Sequence, residues 1–278
     1  KNFNEWLTSF EALALQKGIS ANTIKIVFKD VKFLDQVIKY DRKQPEFFED
    51  TITYVSKRAS ISRAYKAKKL LEDNKKLFAQ VEDEFNVEKE ILLSLWGIET
   101  NFGKHVGKMD IISSLATLSY DQRRSKFFTS QLLILLKLVD KKLIDPSTLY
   151  GSWAGAYGNF QFMPSTIKNY ALDYNNDDLI DLKSTEDSFA SAANYILKLG
   201  WKKNSPCFYK IKLIDINFQN NKTKKNNYEK EYKKALSIIK PDSILIALDE
   251  NGQNYTSMQF SKNIIKWKEN FSNLYFLI

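Results

Sequence analysis

The chain has 278 residues, of which 44% are hydrophobic and 14% aromatic, which excludes a disordered chain and allows one large or two to three smaller domains. Its net charge of +9 favours a polyanionic partner such as nucleic acid, anionic lipid or a cell-wall polymer. The single cysteine, Cys207, excludes an intrachain disulfide. The chain starts without Met or a signal-peptide pattern, so we expect it to begin after processing or trimming.

The first 85 residues predict helices that are delimited by glycine and by small polar residues. A helical stripe ends at Gly18, and Ser20 or Asn22 can cap the next helix. The predicted spans are residues 3–17, a second helix through residue 28, a helix around 48–55, and one long helix over 61–85 with a charged outer face.

Residues 90–103 (EILLSLWGIETNFG) are apolar nearly all round as far as Ile98, which predicts a buried helix. Glu99 stands at the C-terminal end of this helix, before the stop signal Gly103. Lost hydration beside Trp96 and the negative end of the helix dipole both favour a protonated carboxyl group. Glu99 is therefore a candidate general acid, and the alternative is a partly exposed glutamate at a frayed helix end.

A segment at residues 111–118 and an apolar helix predicted at 127–139 lead to a glycine-rich loop, GSWAGAYGNFQFMPS, at residues 151–165. Its glycines permit tight turns and close approach by a ligand, and Pro164 suits the first turn of a following helix. Ser152 and several other polar or aromatic side chains can contact that ligand. A purely structural glycine loop is the alternative.

Residues 173–181 (DYNNDDLID) resemble a calcium loop, with side-chain oxygens at alternate positions. Asp178 stands where glycine makes the sharp turn of an EF-hand, and Ser184 stands where a bidentate glutamate closes it. The candidate ligands are Asp173, Asn175, Asp177, the carbonyl of Leu179, and Asp187, which would close a lengthened loop. The alternative is an Asx-rich turn that caps the helix predicted at residues 189–199.

Beyond residue 202 the sequence predicts short strands and a Lys/Asn-rich stretch. The strands are predicted at residues 210–215, 243–248 and 257–267, and the stretch at 217–234 is expected to be flexible at its start. A small β-containing C-terminal region follows from this pattern.

Four motifs are spread along the chain: DRKQPEF at residues 41–47, WGIETNFG at 96–103, GSWAGAYGNFQFMPS at 151–165 and ANYILKLGW at 193–201. With them the chain resembles the lytic murein transglycosylase B family, the membrane-bound lytic transglycosylase B type of bacterial cell-wall enzyme. The resemblance extends from Trp6 to Trp201 and thins over residues 202–262. It returns as NFSNLY at residues 270–275.

The resemblance implies cleavage of the β-1,4 bond between N-acetylmuramic acid and N-acetylglucosamine, which leaves a 1,6-anhydromuramoyl end. Ordinary glycosidases flank the bond with two carboxylates. Here Glu99 alone would protonate the leaving oxygen and then, as a carboxylate, remove the proton from the sugar's own 6-hydroxyl group. The substrate's N-acetyl group can stabilise the developing positive charge. Because no water is activated, no second carboxylate is needed. Asp121 and the Asp173 cluster are possible second carboxylates, and we interpret them as structural.

The resemblance also implies residues that bind the glycan. Ser152 resembles the residue that hydrogen-bonds the reacting sugar. Groove contacts are implied at Gln161, Asn194, Tyr195 and Asn270, and stacking walls at Tyr54, Tyr275 and Trp267, which lies two residues early for its motif. Tyr195 and Tyr275 have an ordinary core aromatic as their alternative. His105 matches no functional position and is interpreted as a surface residue.

The predicted fold is mainly α (α+β). We expect a helical N-terminal domain at residues 1–80, a lysozyme-like catalytic core with the calcium-type loop at 81–202, and a small β-containing C-terminal region at 203–278 whose end returns to the groove. We expect a periplasmic monomer that binds peptidoglycan glycan strands, with no cofactor for catalysis and a structural Ca²⁺. Attachment to the inner face of the outer membrane through a preceding N-terminal segment stays open.

Two other functions are compatible with parts of the sequence. A non-catalytic peptidoglycan-binding or scaffolding protein would keep the groove without turnover. A nucleic-acid binder is supported by charge alone and lacks a binding motif. The sequence leaves open whether cleavage is endo or exo and which peptide stems are preferred.

Overall fold

The computed structural model describes residues 2–43, 50–204, 233–247 and 252–277. The chain divides into two compact units, Lys1–Pro206 and Cys207–Ile278, and each is described by itself. Within the described ranges, no helix combines the length and the apolar character needed to cross a membrane. The domain boundary near residue 80 stays a prediction.

The first unit opens with short helices whose ends follow local sequence signals. They are α1 (Phe3–Gln16), α2 (Ala21–Phe28), α3 (Asp35–Arg42) and α4 (Thr51–Arg58). Gly18 follows α1 with φ +81°, and the Ser20 side chain caps α2, as predicted. Helix α4 begins later than predicted because the Asp50 side chain caps it by accepting a hydrogen bond from Thr53 N. Helix α3 is not anticipated by the sequence analysis.

The long helix predicted over residues 61–85 is two helices, so this prediction is wrong. Helix α5 (Ile61–Asp73) ends and α6 (Lys75–Phe85) begins at Asn74, which has φ −118° and ψ 25°. The Asn74 side-chain amide donates to the carbonyl of Leu70 at 3.0 Å. Asparagine is unfavourable in the interior of a helix, because its side chain forms hydrogen bonds with the nearby backbone.

The core of the first unit surrounds a nearly all-buried helix. The remaining helices are α7 (Lys89–Thr100), α8 (Ile111–Tyr120), α9 (Ser125–Asp140), α10 (Pro164–Tyr170) and α11 (Thr185–Lys198). Residues 111–119 of α8 are all buried, and α8 packs against α1, α3 and α9. On α11, the ring of Phe189 meets three others edge-to-face; the partners are Phe78, Trp96 and Phe160. Trp96 and Phe160 connect this core to the Glu99 helix and to the glycine loop.

A short β-ladder fixes the glycine loop against the segment that follows α7. Strands β1 (Met109–Asp110) and β2 (Tyr150–Gly151) are antiparallel, with Met109 opposite Gly151. Nearby, Gly107 has φ +87°, and a Cβ there would lie 2.1 Å from the carbonyl oxygen of Gly151. Only glycine fits this approach without displacing the backbone.

The second unit contains a parallel strand pair, β3 (Ser243–Ala247) and β4 (Asn273–Leu277), and helix α12 (Ser257–Asn270) between them in sequence. The strand predicted from residue 243 is confirmed, but the one predicted at 257–267 is wrong. Thr256 and Gln259 form a capping box, and Phe260, Ile264 and Trp267 recur at helical spacing. The predictions for residues 210–215 and 217–232 lie outside the described residues, and residues 233–238 are helical.

Candidate active site

Glu99 lies in the last turn of α7, on its solvent-facing side. The opposite side enters the core through Leu92, Leu93, Trp96, Gly97 and Thr100. Ile98 is 47% exposed, so the prediction of a helix buried on all sides is wrong. This open face leaves Glu99 within reach of a ligand.

Burial by neighbouring protein atoms raises the pKa of the Glu99 carboxyl group above its ordinary value. The side chain still keeps an exposed surface. Within the described residues, no hydrogen bond or ion pair reaches this carboxyl group. A raised pKa, an open approach and no fixed partner are the properties required of a group that must donate a proton and take one back.

A buried amide connects the Glu99 helix to the glycine loop. Asn159, which is 4% exposed, accepts a hydrogen bond from Trp96 Nε1 at 3.2 Å, and its backbone carbonyl accepts one from Thr100 Oγ1 at 2.9 Å. Its Nδ2 donates to the carbonyls of Lys183 and Ser184 and to Ser188 Oγ. Asn159 therefore holds α7, the glycine loop and the start of α11 together. Asn159 lies within the glycine-loop motif, but its residue type alone predicts no such role.

Helix α7 ends in three successive residues with left-handed backbone angles. Asn101, Phe102 and Gly103 have φ values of +52°, +61° and +77°. Positive φ is uncommon for a bulky residue such as Phe102, and such conformations persist where the surroundings enforce them. His105 is exposed, as predicted, and its backbone N–H donates to the carbonyl of Thr100 at 2.8 Å.

The two glycine-loop candidates differ in what they can offer a ligand. Ser152 Oγ accepts a hydrogen bond from Ala156 N at 2.9 Å, and no acceptor in the described part of the chain takes its proton. Gln161 has φ +53°, and its Nε2 donates to the carbonyls of Val106 and Gly158 at 3.2 and 2.8 Å. Ser152 can therefore donate to a ligand, while Gln161 has its side-chain oxygen left to accept a bond.

The other predicted contacts of the first unit lie on two helices. Asn194 Nδ2, on α11, donates to the carbonyl of Tyr170 at 2.8 Å. The neighbouring Tyr195 ring is half-buried and packs edge-on against the rings of Tyr170 and Phe162. On α4, Tyr54 is 38% exposed, and the guanidinium of Arg58 lies 3.9 Å from its ring centroid. Tyr54 thus has only one ring face covered by this stacking.

The remaining predicted contacts belong to the second unit. Asn270 ends α12, and its side chain donates to the carbonyl of Lys266 at 2.7 Å. Tyr275 lies in β4 opposite Leu245, and the Trp267 ring packs edge-to-face on Phe260. Their roles at the glycan stay predictions.

The candidate calcium loop is closed by hydrogen bonds to its own side chains. Asp173 accepts hydrogen bonds from the backbone N–H groups of Asp177 and Asp178 at 3.1 and 2.9 Å. Asp178 has φ +70°, the left-handed conformation for which the EF-hand pattern uses glycine. Asn175 Nδ2 donates to Asp177 Oδ2 at 2.9 Å.

The carboxylates of this loop are occupied by backbone donors, which fits the Asx-turn alternative. Asp187 is fully buried, and its oxygens accept hydrogen bonds from Tyr174 N and Asp181 N, both at 2.9 Å. Ser184 caps α11, which begins at Thr185. Among the residues with described placement, no three His, Cys, Asp or Glu side chains are gathered in a way that could hold a metal ion.

A buried carboxylate that the sequence analysis missed ties α3 to the segment before α9. Asp41 is 1% exposed and pairs with Arg42 at 2.9 Å, with Arg123 at 3.1 Å, and with Arg124. Arg42 also pairs with Asp121 at 2.8 Å and lowers the pKa of that carboxyl group. Asp121 is therefore held in a structural ion-pair network, which supports its structural interpretation. The sequence places acids and arginines close together at residues 41–43 (DRK) and 121–124 (DQRR), and these opposite charges could have indicated the pairing.

The chain is similar to known proteins of one family. The profile described as a transglycosylase SLT domain matches residues 2–277. The chain belongs to this transglycosylase family. The membrane-bound lytic murein transglycosylase B of Escherichia coli (strain K12) is 41% identical over 120 residues, which are 43% of this chain and 33% of that protein.

Solved structures of the transglycosylase family share the fold. SltB3 from Pseudomonas aeruginosa in complex with NAG-NAM-pentapeptide has a TM-score of 0.72 at 35% identity, over 74% of this chain and 55% of that chain. The Escherichia coli lytic transglycosylase Slt35 in complex with calcium has a TM-score of 0.63 at 30% identity, over 72% of this chain and 64% of that chain. The mostly helical, lysozyme-like fold that the sequence predicts is confirmed. The chain spans about half the length of SltB3 and a third of the curated relative.

Proposed function

We propose that this chain is a peptidoglycan lytic transglycosylase that cleaves the MurNAc-β-1,4-GlcNAc bond without water and leaves 1,6-anhydromuramoyl ends. The observation that carries the proposal is Glu99, a carboxyl group with a raised pKa and no fixed partner among the described residues, on the open face of α7. Related transglycosylases support the substrate class, since the SltB3 structure contains NAG-NAM-pentapeptide. Glu99 is the proposed acid and then the proposed base.

The proposed mechanism uses one proton carrier in two steps. Protonated Glu99 gives its proton to the glycosidic oxygen, so the bond from C1 of the muramic acid to that oxygen breaks and the GlcNAc hydroxyl leaves. The N-acetyl group of the substrate stabilises the positive charge that develops at C1. The Glu99 carboxylate then takes the proton of the 6-hydroxyl group, whose oxygen bonds to C1. The raised pKa supports the first step because it keeps the acid protonated at higher pH.

The proposed substrate contacts follow from the groups left available. Ser152 would donate its hydroxyl proton to the reacting sugar, and Gln161 would accept a bond at its side-chain oxygen. Tyr54 would stack on a sugar face. Further contacts are proposed at Asn194, Tyr195, Asn270 and Tyr275.

We also propose that the Asp173 loop binds a structural calcium ion through Asp173, Asn175, Asp177, the Leu179 carbonyl and Asp187. The left-handed Asp178 and the alternating side-chain oxygens support this proposal, as does the calcium complex of Slt35. Binding would require these oxygens to turn from backbone amides to the ion. A calcium titration of the melting temperature, after treatment with chelator, tests it.

The proposed setting is the periplasm, where the chain would act as a monomer on glycan strands of the wall. Its net charge of +9 suits an anionic polymer. The proposed division into a helical N-terminal domain, a catalytic core and a small C-terminal region keeps Glu99, Ser152 and the calcium loop in the core.

Digestion of purified sacculi, followed by mass spectrometry of the soluble products, tests the proposed function. The wild type should release anhydro-muropeptides, and Glu99→Gln should lose at least about 10²–10⁴-fold in rate, which is the contribution of a positioned general acid. A wild type that binds sacculi but releases nothing would be a scaffolding protein. A variant with more than a tenth of wild-type turnover would remove Glu99 from the mechanism.

A further inference from the structure

The basic helix α5 contacts the backbone on both sides of Glu99. Arg63 Nη1 donates to the carbonyl oxygen of Gly97 at 3.2 Å, and Lys66 Nζ donates to that of Asn101 at 3.3 Å. These carbonyls belong to the residues two before and two after Glu99. We propose that Arg63 and Lys66 are positioning residues that fix the Glu99 carboxyl group for its two proton transfers, an inference that rests on the proposed function.

Carbonyls near the end of a helix can take a side-chain donor, either because no intrahelical donor reaches them or as a second hydrogen bond. The backbone N–H of Asn101 donates to Gly97 O, and that of Phe102 donates to Trp96 O. The carbonyl of Asn101 itself lies beyond the helical ladder, in a left-handed turn. A side-chain cation is the favourable partner there, because it also opposes the negative end of the helix dipole.

Lys66 makes a second contact with the same turn. Its Nζ lies 4.9 Å from the centroid of the Phe102 ring, a cation–π distance. The Phe102 ring in turn covers Gly97, since a Cβ at that glycine would lie 2.9 Å from the ring. Lys66, Phe102 and Gly97 therefore form one packed layer against the Glu99 turn.

Arg63 connects this layer to the preceding helix. Its Nη1 also donates to the carbonyl of Arg58 at 3.4 Å, at the end of α4. Among the described side chains of α4 and α5, none is buried in the core. Leu70 and Leu71, further along α5, are half-buried and pack against the core, while the polar contacts of Arg63 and Lys66 reach α7 at its Glu99 end.

A single carboxyl group that serves as acid and then as base must reach two different oxygens of the substrate. A misplacement of about 1 Å can reduce the rate about 10²-fold, so a fixed helix end matters more here than for a residue with one task. Burial is also the cause of the raised Glu99 pKa, so the pKa depends on the helix end staying packed. Removing one of the two contacts should therefore lower kcat and, by exposing the carboxyl group to water, lower its pKa toward the ordinary value.

The other charged groups near this helix end are few. The turn after α7 carries Lys104, His105 and Lys108, all exposed. Helices α6 and α11 also pack on α7, and the contact with α11 includes the ring of Phe189 against Trp96. The pair between Lys89 and Glu82 lies at the opposite end of α7.

A matched control for charge lies on the same helix. Lys69 stands on α5 one turn beyond Lys66 and is exposed. Unlike Lys66, it donates no hydrogen bond to α7 within the described part of the chain. Removing its charge therefore leaves the contacts at the Glu99 turn in place.

Lys66→Met, Lys66→Arg and Lys69→Met test the proposal, with Arg63→Lys as a fourth variant. We expect Lys66→Met to lower kcat about tenfold or more with little change in KM. Lys66→Arg should keep most of the wild-type kcat, and Lys69→Met should have the wild-type kcat and KM. Arg63→Lys should lose less kcat than Lys66→Met. Lysine keeps the charge but lacks the planar guanidinium that reaches the carbonyls of Arg58 and Gly97.

An NMR titration of the Glu99 side-chain carboxyl group reads the effect without turnover. Its pKa should fall toward the ordinary value in Lys66→Met, where the loosened turn exposes it, and stay at the wild-type value in Lys69→Met. Equal kcat and equal carboxyl pKa in the two Met variants would overturn the proposal. If the wild type releases no anhydro product, the proposed function fails, while the titration still decides whether Lys66 acts on Glu99.

Discussion

Glu99 combines a raised pKa with an open face, and this environment predicts how the stability of the protein depends on pH. Burial raises the folded-state pKa above that of the unfolded chain. The folded state is therefore favoured most below the ordinary carboxyl pKa of about 4.3, and this contribution is lost as pH rises through the folded-state value. The glutamine in Glu99→Gln cannot ionise and avoids that loss.

We therefore expect Glu99→Gln to match the wild type in free energy of unfolding near pH 4 and to exceed it at pH 8. Urea denaturation at both values measures the difference. Glu72→Gln is the control, because Glu72 also stands in the last turn of a helix, but that helix has no buried residue. An advantage for Glu99→Gln that is the same at both pH values would contradict the desolvated carboxyl group.

Asn159 makes a second prediction at the scale of single residues. Asn159→Ala removes the donor to three acceptors and the acceptor of the Trp96 indole in a buried site. Unsatisfied buried groups cost about 1–3 kcal/mol, so the free energy of unfolding should fall by about that amount. Asn169→Ala, at an exposed position on α10, is the matched control. Equal free energies of unfolding of the two variants in urea would show that Asn159 does not hold α7, the glycine loop and α11 together.

Glu99 could be identified from the sequence because its signals are local: an apolar helix, a carboxylate at its end and stop residues after it. The roles of Asn159, Arg63 and Asp41 could not, because most of their partners lie 24 to 83 positions away in the chain. Such pairings depend on the folded topology, and one sequence carries no record of them. A polar residue inside a glycine loop or a basic helix looks the same whether it is bonded or solvated.

At the scale of elements, caps and glycines set most of the helix ends that the sequence predicts correctly. Ser20, Gly18 and Pro164 act at the expected positions. The failures have physical reasons. Charge and periodicity predict one continuous helix over residues 61–85, but Asn74 divides it into two. The aromatic and β-branched residues at 260–267 predict a strand, but they recur at helical spacing in a helix that begins at a capping box. Local hydrogen bonds decide both cases, and hydrophobic periodicity does not report them.

The Asp173 loop is the element whose behaviour is most directly testable. Three carboxylates would repel one another if gathered around one point, and a cation removes that repulsion. Because an ion that binds only the folded state stabilises it by mass action, millimolar calcium should raise the melting temperature of the chelator-treated wild type. Differential scanning calorimetry measures the rise.

Asp177→Ala should abolish the calcium-dependent rise and leave turnover on sacculi in place. Asp83→Ala removes an exposed acid on α6 and should keep the rise, which controls for the loss of charge alone. A melting temperature that does not respond to calcium in the wild type would favour the loop as a plain capping turn held by backbone amides.

At the scale of the whole molecule, the fold and the family limit what the chemistry can be. The family profile extends across both compact units, while the carboxyl group with the properties of an acid lies in the first. Asp121, a possible second carboxylate, is bound to Arg42 with a lowered pKa. In the described part of the chain, Glu99 is the carboxyl group that combines a raised pKa with no fixed partner, which fits intramolecular attack by a substrate hydroxyl group better than attack by an activated water.

The central claim is that the 6-hydroxyl group of the sugar, and not water, takes the place of the leaving group. Digestion of sacculi by the wild type in ¹⁸O-labelled water, followed by mass spectrometry of the released muropeptides, tests it most directly. We predict 1,6-anhydro ends that carry no ¹⁸O, with Glu99→Gln as the inactive control. Reducing ends that carry one ¹⁸O atom would show that the enzyme is a hydrolase and would contradict the account.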